Sequence, residues 1–171
     1  MNRAIEDALI ELLVQRSETR ARAADLVDWA TVALVAGEDT PALVTLAGLD
    51  RDASVFEAMP WLDKTLTELG LDPMPDSDLR RAFVGAVSRS LLDGRINAEQ
   101  ALDQVHKHAV SPLGHPDDLA AWCFVWERLS PGDFRTLSPT QVDVEARRLA
   151  AEWGSRSGLP LKQRGAGRDD A

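Results

Sequence analysis

The chain has 171 residues, 44% of them hydrophobic and 27% charged, with a formal net charge of -9 and one cysteine. One cysteine excludes an intrachain disulfide and any zinc site built from several cysteines. A pI near 4.8 argues against broad binding to phosphate backbones, since both partners would be negative. The length suits one domain with a core that needs no covalent staple.

Helical periodicity runs from end to end. Ile5, Ala8, Leu9, Leu12 and Leu13 recur at i, i+3, i+4, i+7 and i+8 and share one stripe of a first helix. A second is predicted from about Thr19 to Ala36, with Gly37 as its stop. Thr40-Pro41 reads as cap plus first-turn proline for a short helix ending at Gly48. Ser54-Val55-Phe56-Glu57 is a capping box that opens a helix running to Leu69; Pro60 inside it predicts a kink or a break into two pieces.

A fifth helix is expected over about Asp78–Leu92. Asn97, with Gln100 in the capping-box position, starts a sixth whose apolar side is Leu102, Val105 and Ala109. A seventh is expected from about Asp117 to Leu129, then a loop over Ser130–Leu137. Ser138-Pro139-Thr140-Gln141 opens the last, stopped by Gly154. Gly37…Thr40 and Gly94…Asn97 share one corner design, a cap residue three positions after a terminating glycine. The fold class is all-α: a single-domain bundle of seven or eight antiparallel-type helices over 1–154, with residues 155–171 as a disordered basic tail. That tail carries a net +2, which leaves -11 on the body.

No stretch approaches the ~18 uninterrupted apolar residues of a membrane helix. Glu6, Asp7 and Glu11 interrupt any secretory h-region near the start. A cytoplasmic protein without membrane contact is the expectation.

Phosphate-binding glycine motifs, the nucleophile elbow and the His-Glu-x-x-His metal motif are all missing from the sequence. The segment around Asp93-Gly94 fails as a calcium loop, because Arg89 would occupy the first ligand position. Glu99, Asp103 and His106, at i, i+4 and i+7, share one helical direction and form the candidate metal or acid–base trio. A solvated outer face is the plainer reading of the same spacing. His115 is expected to cap or precede the seventh helix rather than coordinate anything, and Cys123, flanked by Trp122 and Phe124, reads as a buried inert thiol.

The seventh helix carries Leu119, Trp122, Cys123 and Trp126 on one side and Phe124 roughly opposite. Such a helix is either central or shared with a partner. Trp122, Phe124, Val125 and Trp126 are therefore the candidate partner-binding residues, and residues 119–129 a possible homodimer contact. Arg80-Arg81 and Arg147-Arg148 sit amid acids, which argues against a groove-reading helix and so against nucleic acid.

The stretch Gly37-Glu38-Asp39-Thr40-Pro41-Ala42-Leu43 through Leu46-Ala47-Gly48-Leu49, with Phe56 and a helix ending Leu69-Gly70, resembles a group of small bacterial all-helical proteins of no assigned function. The likeness covers about the first two thirds of the chain. It implies an all-helical bacterial domain and no activity, substrate, cofactor or site. Acidic body, missing catalytic motifs and doubly apolar helix together point to a protein–protein interaction module: an adaptor, or a neutralising partner of a basic protein. The alternative is a metal-dependent or acid–base enzyme using Glu99, Asp103 and His106. A nucleic-acid-associated regulator is a weaker third reading. No cofactor is expected.

Overall fold

The computed structural model describes residues 1–71, 73–129 and 137–155. Every regular element among them is helical, as the periodicity predicts. The packing groups the described residues into two compact units, one up to residue 74 and one from residue 75 onward. The loop expected at Ser130–Leu137 lies, except for its last residue, outside the described residues. So does the basic tail beyond Ser155.

The first unit contains α1 (Arg3–Ser17), α2 (Ala23–Val35), α3 (Pro41–Ala47) and α4 (Val55–Glu68). Its core is built from the stripe residues Ile5, Leu9, Leu12, Leu26, Trp29, Leu43, Leu46 and Leu62. Full burial of each large apolar side chain contributes about 1.5–3 kcal/mol. The Trp29 indole N–H donates to the Ile5 carbonyl at 3.2 Å, so the largest core side chain is also satisfied. Glu68, at the end of α4, accepts from the Ala42 amide at 2.8 Å and so caps the open first turn of α3.

Helix α4 is a single element, with Pro60 in its second turn; the break into two pieces does not occur. The proline removes the bond to the Phe56 carbonyl and crowds that oxygen with its ring. Phe56 is highly exposed, so water can serve that oxygen.

The second unit contains α5 (Asp76–Leu92), α6 (Ala98–Val105), α7 (Ala120–Glu127) and α8 (Pro139–Gly154). A π-helical turn, His106–Val110, continues α6, and a 3-10 turn, Asp117–Leu119, leads into α7. Helix α5 is central: every residue from Ala82 to Ser88 is buried. Arginines close exposed helix ends around it. Arg89 of α5 donates to the Gly154 carbonyl and Arg147 of α8 to the Leu91 carbonyl, both at 3.1 Å. Each places a cation where a helix dipole is negative.

The shared corner design holds at both junctions. Gly37 (φ 93°) and Gly94 (φ 74°) take the left-handed conformation, which a side chain would strain. Thr40 and Asn97 then accept from the amides of Leu43 and Gln100. Ser54, Asn97 and Ser138 all form reciprocal capping boxes.

Candidate metal centre

Helix α6 owes its orientation to its cap. Asn97 accepts from the Gln100 amide at 2.9 Å and Gln100 returns the contact to the Asn97 amide at 3.0 Å. Ala98, Ala101, Leu102 and Val105 are buried. Glu99 and Asp103 consequently stand on the exposed face. After Val105 the hydrogen-bond ladder widens: the Ser111 amide reaches back five residues to the His106 carbonyl at 2.9 Å, and that of His115 to Val110 at 2.9 Å. Single π turns of this kind are frequent at functional sites. The buried Arg80 anchors this one, donating to the His108 carbonyl at 2.6 Å and to Asp76 at 2.6 Å. Phe83 meets the His108 ring edge-on at 5.8 Å.

The turn directs His106 toward α7 rather than along α6. Its imidazole lies flat on the Trp126 indole, 3.5 Å between centroids and 2° from parallel. Its ring is 5.8 Å from that of His115. His115 sits at φ 58°, an uncommon backbone region for a residue with a side chain. The Cys123 sulfur lies 3.6 Å from His115 Nδ1 and donates to Glu127 Oε1 at 3.4 Å. One donor atom from each of His106, His115 and Cys123 falls within 4.8 Å of the other two.

Burial and neighbouring charges shift two of these groups. Burial pushes the Cys123 thiol up from its usual 9.0, and the hydrogen bond to Glu127 and that carboxylate's charge push it the same way. Burial lowers His106 from 6.5, assisted by the charge of His115 and opposed by Asp103 and Glu127. A protonated thiol in this setting is a poor nucleophile, so a Cys–His hydrolytic dyad has no support. A bound cation would reverse that balance by stabilising the thiolate. The neutral imidazole of His106 already has the ligand form.

Of the sequence trio, only His106 belongs to this set. Glu99 and Asp103 are not brought into it, and Asp103 reaches it only through its charge on His106. Cys123 is half-buried rather than enclosed, and His115, which precedes the turn into α7 as expected, is also an exposed member of the cluster. The four aromatic and apolar candidates separate as well. Trp122 and Val125 are buried at 1% and 3%, Trp126 is half-buried against His106, and Phe124 is 51% exposed beneath the Arg128 guanidinium, 3.3 Å from its ring centroid.

In the first unit an open groove of about 550 Å³ runs along α1 and α2, walled by Ala8, Leu12, Trp29 and Val32 together with Asp25 and Asp28. Those two carboxylates already pair with Arg22 and Arg51, which leaves the groove little charge with which to select a ligand. Among the described residues, no helix is long and apolar enough to cross a membrane.

No family model, curated protein or solved structure matches this chain.

Proposed function

We propose that this protein is a metal-binding helical module that holds one zinc-class divalent ion in its second unit, through His106, His115 and Cys123. The observation that carries the reading is the convergence of two imidazole nitrogens and one sulfur within 4.8 Å, from three separate segments. Imidazole and thiolate favour zinc, cobalt, nickel or copper over magnesium and calcium, which want oxygen. An ion there would tie the π turn and the segment carrying His115 to α7, so that metal supply regulates the stability of this unit.

The test is metal analysis of protein purified without tag or chelator, followed by calorimetric titration of metal-free protein with zinc. One equivalent bound, and none in the Cys123→Ser and His115→Ala variants, is the expected result. Wild-type protein that takes up no zinc would end this reading.

A second reading is the docking of a basic partner protein on the acidic body. What favours it is Phe124, exposed on α7 under Arg128, since aromatics and arginines are enriched at interface centres. Complexes captured at low salt and lost at high salt, and weakened by Phe124→Ala, would support it. Capture that ignores salt would remove its electrostatic part.

A further inference from the structure

We propose that Glu127 is the fourth ligand, so that the ion sits in a closed shell of two histidines, one cysteine and one glutamate; this rests on the three-donor reading above.

The distances come first. Zinc bonds of about 2.0–2.3 Å in a tetrahedron place neighbouring donor atoms about 3.5 Å apart. The Cys123 sulfur is 3.6 Å from His115 Nδ1 and 3.4 Å from Glu127 Oε1. Two edges of the tetrahedron therefore have their final length without any metal, and both start at the same sulfur. Cys123 and Glu127 are four residues apart on α7, so they project from one face and chelate from a single rigid element. Glu127 stands outside the group whose donors lie within 4.8 Å of one another; it is exposed, and to complete the shell its carboxylate turns about the sulfur toward the two imidazoles.

Charge supplies the second argument. A dication held by one thiolate and two neutral imidazoles keeps a net positive charge. Adding the Glu127 carboxylate brings the complex to zero. The site is open to solvent on one side, with His115 exposed and His106 and Cys123 half-buried, so the carboxylate acts through direct attraction to the ion. No other carboxylate is within hydrogen-bond distance of the sulfur among the described residues. A closed shell leaves no position for water or substrate, which makes the ion a structural staple rather than a hydrolytic centre.

The experiment uses the full chain, metal-free, titrated with cobalt and then displaced with zinc, with azide added to the cobalt form. The expected result is the strong visible spectrum of tetrahedral cobalt–thiolate, unmoved by azide. Glu127→Gln should bind more weakly by more than the about 10–100-fold that loss of an outer-shell partner costs, and acquire an azide-sensitive spectrum. Asp103→Asn, which removes the other carboxylate charge felt by His106, should behave as wild type. Far-UV circular dichroism of each variant checks that the helices persist, as exposed positions predict. A wild-type spectrum that moves with azide, or a Glu127→Gln variant with unchanged affinity, overturns the fourth ligand and leaves the three-donor site standing. Wild-type protein that binds neither cobalt nor zinc overturns both.

Discussion

The imidazole of His106 lies parallel to the indole of Trp126, 3.5 Å from centroid to centroid. This stack joins the π turn after α6 to the second half of α7. It also fixes the plane of the ring, so that a nitrogen faces His115 and Cys123 rather than the carboxylates of its own helix. Trp126→Leu keeps an apolar side chain but loses the flat surface. Zinc affinity should fall about 10-fold, the low end of what orienting partners contribute, with helix content unchanged. Calorimetric titration checks it; undiminished affinity would show that the stack does not orient His106.

Zinc should stabilise the protein by mass action. At free zinc 100 times the dissociation constant the gain is about 2.7 kcal/mol, or roughly 5–10 °C in Tm for a chain of this size. Thermal scans with zinc and with excess chelator measure the difference. Cys123→Ser should abolish the shift without lowering the metal-free Tm by more than about 1 kcal/mol equivalent, since the thiol is only half-buried.

Metal-free protein should lose stability as pH falls below about 6.5, the ordinary value for histidine. Burial and the charge of His115 hold His106 below that value in the folded state, against Asp103 and Glu127. Between the two values the unfolded chain binds more protons, so stability rises with pH across that interval and the loss is complete only below the folded value. Urea unfolding at several pH values in chelator should show this slope, and His106→Gln should flatten it. An equal slope in the variant would assign the dependence to other groups.

Trp122 is 1% exposed, and its indole nitrogen is the buried polar side-chain atom left without a hydrogen-bond partner among the described residues. Trp122→Ala should cost about 3–5 kcal/mol through the cavity it opens. Trp122→Phe should cost about 1–2 kcal/mol, because the volume lost is smaller and an unsatisfied donor disappears with it. Denaturant midpoints separate the two, and equal costs would contradict the role given to the N–H. Neither variant reports on an interface.

Arg80→Met should destabilise the second unit by about 2–3 kcal/mol. The buried guanidinium bridges Asp76 and the His108 carbonyl, and its loss leaves an acceptor of the π turn without that donor. Zinc affinity should fall in the same variant, because the turn carries His106. Stability lost with affinity retained would separate the anchor from the site.

What the sequence by itself determined is the helical architecture. Caps and stops act over three or four residues, so Thr40, Ser54, Asn97 and Ser138 announce their helices wherever the chain goes, and Gly37 and Gly94 end theirs by a local conformational preference. Of the two outcomes that Pro60 suggests, the structure excludes the break, since α4 is a single element. Cys123 is half-buried rather than enclosed by its sequence neighbours. Its neighbours Trp122 and Phe124 point about 100° away on either side of the helix. Two residues reach the sulfur, His115 and Glu127, and the four-residue spacing of Glu127 is legible in the sequence. Tertiary structure decided the rest. His106, His115 and Cys123 converge only because the ladder widens at 106–110, His115 takes a left-handed backbone, and α7 packs across α6. No local pattern specifies that convergence, because it is set by how the second unit fills its core around α5.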